Sequence, residues 1–278
     1  MTVRRSRLAR AGGGVLLALA LVALLAPLIA PHDPTVTSGP SFARPSLEHL
    51  LGTNDIGQDI FSELLYGGRN SMLIGGVAAT VAVTVGLAVG LCAGLGRPLA
   101  EAILMRVTDL ALALPVVPLM VVLSAFFGGG ALIQMLVIGG LLWGPPAREV
   151  RAQVLSLRER GPVRAAVAMG AARPHIVRRH LLPALLPLAA GQLVRATATA
   201  ILLEASLSFL GLGDPAAKSW GTMLHFAQVQ GAVLTDAWLW WVIPPGLAIA
   251  ATVVSLALLA TAIDGRQAIP GVVGAGAR

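Results

Sequence analysis

Side chains able to do chemistry are sparse in these 278 residues, and their spacing excludes more than it allows. A chain that hydrolyses nucleotide needs a phosphate cradle of the form GxxxxGK[ST]. The single lysine, Lys218 in "GDPAAKSW", follows Ala217 instead of a glycine, so that cradle is missing. A hydrolase working inside a membrane needs a nucleophile and a base within hydrogen-bond reach. The five histidines, His32, His49, His175, His180 and His225, all lie outside the apolar runs, and no GxSxG occurs. In "TNDIGQDIF", Asp55, Gly57 and Asp59 alternate as in a calcium loop, yet Tyr66 stands where the twelfth-position acid belongs. A turn leading into an amphipathic helix accounts for that segment better. Cys92 is the only cysteine, which excludes a disulfide framework and a cysteine-based zinc site. No residue is therefore assigned to catalysis, to a cofactor or to a metal.

Two ionisable residues remain that a membrane would find costly. Arg195 and Glu204 sit in an otherwise apolar run, where charged groups commonly face a bundle interior or an aqueous path. They are candidates for a translocation path. The alternative is that Glu204 reaches the outer interface while Arg195 snorkels inward over roughly 16 Å, a long reach at about 1.5 Å per residue. Asp109, three residues after Arg106, is expected to form a helical ion pair with it.

The elements that must position these residues follow from composition. The chain is 56% hydrophobic and 12% charged, where a soluble domain carries about a quarter charged residues. A bilayer core of about 30 Å takes about 20 apolar residues in helix. Six stretches qualify or nearly so: 12–30, 71–95, 107–127, 131–147, 184–207 and 237–263. The expected fold class is thus all-α, a polytopic membrane protein with about six transmembrane helices. The first run follows Arg4, Arg5, Arg7 and Arg10 but is longer than a signal-peptide core, and Pro31 stands where cleavage would fall, so an uncleaved anchor is expected.

Charge sets the orientation. Placing the amino terminus in the cytoplasm puts sixteen of the 20 Lys and Arg on the inside, while only Arg44, Arg69 and Lys218 fall outside. That bias predicts both termini in the cytoplasm and explains the net charge of +7 without nucleic acid. The resulting organisation is a basic tail and first helix over 1–30, an extracytoplasmic loop over 31–70, a membrane domain over 71–265 and a cytoplasmic tail over 266–278.

Inside this pattern, "AAVAMGAARPHIVRRHLLP", from Ala165 to Pro183, is too polar to span and lies on the cytoplasmic side. Ala165, Ala166, Met169 and Gly170 recur at helical spacing and predict a small-residue face, with Arg173 ending the helix near Pro174. Such a segment could present a knob to a partner protein or hold anionic membrane lipid with its arginines.

Three segments resemble a known family. "HLLGTNDIGQDIFSELLYGGRNSMLIG" and "LLEASLSFLGLGDPAAKSWGTML" resemble stretches of the permease subunits of dipeptide, oligopeptide and nickel ABC importers, in particular the second type of permease. The third is the segment 162–183, which resembles the cytoplasmic EAA motif: Ala165 and Ala166 match its alanines, Gly170 its glycine, and Leu182 and Pro183 its ending. Departures are Arg164 in the place of the motif's Glu, Asn54 for an Asp, Gln58 for an Arg, and Glu63 near a usual Arg.

The resemblance implies a type I ABC importer permease fold in a bacterial inner membrane, spanning it several times. It implies a heterodimer with a sister permease, two ABC ATP-binding subunits that carry ATP and Mg, and an extracytoplasmic substrate-binding protein that delivers peptides or nickel. It also implies that Arg164, Ala165, Ala166, Met169, Gly170 and Pro183 belong to the surface that couples the permease to its ATPases. A secondary transporter or a non-transporting membrane scaffold are the competing classes, and neither accounts for three ordered segments.

Overall fold

The computed structural model describes residues 2–214 and 216–267. Among these residues regular structure is helical, with one isolated β-bridge between Thr53 and Asp59. The amino-terminal helix α1 (Thr2–Leu24) gives way at Leu25 to a short α2 (Ala26–Ile29), with a proline in its first turn. A folded loop then leads to α3 (Ile60–Leu95), which starts within the segment expected to be loop. Asp59 sets that start: its carboxylate accepts from the Ser62 backbone N–H, and Glu63 adds an acid to the first turn.

Proline divides the next apolar runs. Leu114 and Pro115 are extended between α4 (Pro98–Ala113) and α5 (Val116–Phe127), which meet at 86°. A residue before proline is biased away from the helical region, and the bend falls there. The stretch 131–147, expected as one span, is two helices, α6 (Ala131–Leu141) and α7 (Gly144–Arg158). Pro145 and Pro146 open α7, where their missing N–H groups lack intrahelical partners in any case.

The chain continues through α8 (Gly161–Ala168) to α9 (Arg173–Ile176), a π turn over Val177–Leu181, and α10 (Leu182–Leu207). A second π segment (Ser208–Leu212) ends this helix, and α11 (Trp220–Val229), α12 (Trp238–Trp241) and α13 (Ile243–Gln267) follow. Three stretches are long and apolar enough to cross a membrane: Ile60–Leu95, Arg173–Leu212 and Trp238–Ile263. The bent pair α4–α5 would make a fourth, while Arg10–Leu24 and Ala131–Leu141 are apolar but shorter. The expectation of an all-helical membrane chain is met, and its count of about six spans resolves into three or four by length. The tail expected over 266–278 lies, from residue 268 on, outside the described residues.

The long helix α3 is the axis of the packing. Gly86, Gly90 and Gly94 form a stripe at four-residue spacing against α7: a methyl at Gly90 would lie 2.7 Å from both the Ala147 carbonyl and Val150 Cβ. Small residues at this spacing let helix backbones approach where lipid supplies no hydrophobic drive. Farther up, Gly75 admits Ile201 of α10. Three apolar clusters form at successive levels. One surrounds Ile60, Trp220, Met223 and Trp241, a second Ala78, Met120, Ile138 and Ala200, and a third Val150, Val154, Ile176 and Leu185. The helix α1 lies along α13, with Gly12 close to Leu258 and the Ser255 carbonyl.

Candidate functional site: an exposed helical knob and a buried carboxylate

The knob is built on α8. Val163 and Ala166 are buried against Val154, Leu157 and Ile176, which fixes the helix to the ends of α7 and α9. The opposite face is exposed at Arg164, Ala165, Val167, Ala168 and Met169, with Met169 81% accessible. Ala165 and Ala166 therefore do not share a face: Ala165 lies with Met169 toward solvent, and Ala166 is an anchor.

Gly170 has a backbone task. Its φ is +78°, its N–H donates to the Val167 carbonyl, and the Ala171 N–H donates to the Ala166 carbonyl. This is the left-handed termination that glycine adopts without steric cost, and it stops α8 directly after the exposed Met169. The expectation that Arg173 ends a helix is corrected here. Arg173 starts α9, with Pro174 in its first turn, and the knob is a helix, a glycine turn and a new helix that runs on into α10. Pro183 is exposed in the first turn of α10, directly after the π turn. The wider turn, in which Leu182 donates to Val177 five residues back, accommodates the proline in a continuous helix.

Basic residues of α7, the helix against which the knob is anchored, brace it to its neighbours. Arg158 donates to the Gly94 carbonyl at the end of α3, and Arg151 pairs with Glu101 of α4. Asp109 pairs with Arg148 of α7 instead of its helical neighbour Arg106. The cross-helix partner wins because α4 and α7 pack together.

Arg195 and Glu204 share α10 but not an environment. The Arg195 side chain is 36% exposed and meets Glu149 of α7 at 3.4 Å. Glu204 is fully buried, accepting from Ser71 Oγ of α3 at 2.9 Å and Ser208 Oγ at 2.8 Å. Around it Ser71 Oγ also accepts from the Trp220 N–H, and Gln134 of α6 donates to Ser208 Oγ. The carboxylate thus ties four elements together and borders a cavity of about 40 Å³.

A second polar cluster was not legible as a unit in the sequence. Lys218 Nζ lies 2.6 Å from Glu63 Oε1 and donates to Gln58 Oε1 at 2.7 Å, and the Asn54 amide donates to both Glu63 and Gln58. These three partners are the same positions at which the first segment departs from its family pattern. They line a cavity of about 200 Å³ together with Met223, Phe226 and Trp241. The signal that could have found the cluster was the coincidence of one lone lysine with three departures of charge.

Comparison with known proteins agrees with this architecture. Residues 82–268 match the family described as binding-protein-dependent transport system inner membrane component, and residues 2–48 match the N-terminal transmembrane domain of oligopeptide transport permease C. A Brucella suis protein named as a peptide permease is 37% identical over 82% of this chain and 76% of its own length. A Sinorhizobium fredii protein named as a peptide ABC transporter permease is 37% identical over 92% of this chain and 87% of its own. Among solved structures, the MetNI methionine ABC transporter in inward-facing conformations shares the fold with a TM-score of 0.52. It is 21% identical and covers 70% of this chain and 96% of that one. With the model of the transport component matching most of the chain and relatives above a third identical along nearly all of it, the protein belongs to the family of binding-protein-dependent transport system inner membrane components, the ABC importer permeases.

Proposed function

We propose that this chain is the second permease subunit of an ATP-driven peptide importer in a bacterial inner membrane. It forms the translocation path with a sister permease and receives peptide from an extracytoplasmic binding protein. ATP and Mg are held by two separate ATPase subunits. The names of the relatives support peptide over nickel as cargo. Both termini face the cytoplasm, and six crossings arise when the bent α4–α5 pair and the two shorter apolar helices each pass the bilayer within the assembled complex.

The observation that carries the coupling role is the exposed face of α8, terminated by Gly170, anchored by Val163 and Ala166, and flanked in the chain by exposed arginines at 158, 160, 173, 178 and 179. A pore subunit without a nucleotide site must receive work through such a surface. Arg164, Ala165, Met169 and Gly170 present or shape it, Ala166 anchors it, and Pro183 follows at the start of α10. Glu204 stabilises the helix junction, and Arg195, partly exposed, faces the path between the two permeases.

The test is uptake in proteoliposomes holding the four membrane subunits and the binding protein, with labelled dipeptide, a longer peptide and nickel supplied in parallel. ATP-dependent peptide uptake is expected, and it should fall at least ten-fold in Met169→Glu/Val167→Glu while the variant still assembles in the membrane. Undiminished uptake by that variant would remove α8 from the coupling surface. Uptake of nickel alone would overturn the cargo.

A further inference from the structure

The loop that precedes α3 gathers three potential ligands from distant positions. His32 follows the end of α2, His49 lies in the middle of the loop, and Asp59 caps α3; one ligand atom from each lies within 4.8 Å of the others. His49 Nδ1 is 3.0 Å from Asp59 Oδ1, and His32 Nδ1 is 4.0 Å from Asp59 Oδ2. Asp59 is fully buried, His49 nearly so, and the two imidazole rings lie 4.8 Å apart.

Two features separate this cluster from an ordinary helix cap. Capping needs only the Asp59 carboxylate, whose Oδ2 is already held by the Ser62 N–H and hydroxyl. His32 Nδ1 adds nothing to that cap, yet it is buried, points at the carboxylate and has no hydrogen-bond partner. Moreover, the surroundings are shaped for immobility: a methyl on Gly39 would lie 2.7 Å from His49 Nε2, and the His32 backbone N–H donates to the same Ser62 hydroxyl that donates to Asp59.

We propose that His32, His49 and Asp59 bind a borderline transition-metal dication of the Zn²⁺ class, which staples the first loop to the entry of α3. Two imidazoles and one carboxylate select such an ion over Ca²⁺ and Mg²⁺, which take oxygen donors, and over Cu⁺, which favours sulfur. Around a tetrahedral Zn²⁺, ligand atoms stand about 3.3 Å apart. The His49 and Asp59 atoms, 3.0 Å apart, already stand near that spacing, so binding needs His32 to close in from separations of up to 4.8 Å. Ligation by His49 Nδ1 replaces its hydrogen bond to Asp59, and its proton moves to Nε2 or to solvent. Ser62 supplies the outer contact that holds the carboxylate. The ion closes the chain between residues 32 and 59, which restricts the unfolded chain more than the folded one.

The proposal is independent of cargo and coupling, and its test reads metal alone. The full chain is purified in detergent without a histidine tag, incubated with Zn²⁺, freed of loose metal and analysed by elemental mass spectrometry and thermal unfolding. About one Zn²⁺ per chain is expected, unaffected by excess Ca²⁺ or Mg²⁺, with a rise in Tm. His32→Phe keeps the ring contact and leaves the α3 cap intact; it should weaken Zn²⁺ binding at least ten-fold and abolish the rise, with its metal-free Tm unchanged. His175→Ala/His180→Ala removes the other neighbouring histidine pair, whose rings lie 6.2 Å apart, and should keep the ion. No retained Zn²⁺ in the native chain, retention in His32→Phe, or loss in the His175/His180 variant would each overturn the assignment.

Discussion

Glu204 is fully buried and accepts from the hydroxyls of Ser71 and Ser208. Glu204→Gln retains one acceptor and should unfold close to the native temperature. Glu204→Leu strands both hydroxyls at about 1–3 kcal/mol each, so its Tm in detergent should fall by several degrees. Equal Tm for the two variants would mean that the serines find other partners. The Lys218 and Glu63 pair obeys a different rule, because removing one member leaves the other charge buried. Lys218→Met should therefore destabilise more than Lys218→Met/Glu63→Gln, in which Asn54 can still donate to residue 63. If the double variant is the less stable, the charge is not what the pair manages. Arg164 is exposed on α8, so Arg164→Glu, which restores the family's residue, should leave uptake within about two-fold. A large loss there would show that the partner surface is adapted to the arginine.

At the scale of elements, two glycine uses can be told apart by their neighbours. Gly170 has no atom within 4 Å of an added Cβ, so a side chain there has room, and the cost comes from its φ of +78°. That cost is about 1–2 kcal/mol and falls on the end of α8. Gly170→Arg should insert normally and yet lose uptake while retaining ATPase activity in the assembled complex. Gly90 is the reverse case, since a methyl alone meets Ala147 and Val150 at 2.7 Å. Gly90→Leu should separate α3 from α7, and the chain should be lost from the membrane fraction. Normal accumulation of that variant would show that α7 can shift without disturbing the core.

For the whole molecule, orientation is the property that the charge distribution predicts and a labelling experiment decides. Cys92 is the only cysteine, so Cys92→Ala provides a background for single reporters. In intact spheroplasts, Arg44→Cys should react with an impermeant maleimide, and Met169→Cys should react only after the membrane is opened. The opposite pattern would invert the topology and place α8 out of reach of any ATPase.

Helical class, the apolar runs, the asymmetry of charge and the segment 162–183 follow from composition and spacing, because each depends on residues near one another in sequence. Gly170 was legible as a motif position, although its left-handed backbone and the inward turn of Ala166 required the helix to be seen against α7 and α9. The prolines at 115, 145 and 146 fall where stretches expected as single spans divide or bend, and local sequence does not say which, since that depends on what the freed helices pack against. Pairings across the chain were beyond the sequence altogether. Lys218 meets Glu63 across 155 positions, Glu204 meets Ser71 across 133, and Asp109 takes Arg148 in preference to Arg106. Local propensity and hydropathy determine which segments are helices and which side of a membrane they prefer. Only tertiary packing decides which polar groups lose water together, and buried groups must then find partners wherever the fold has placed them.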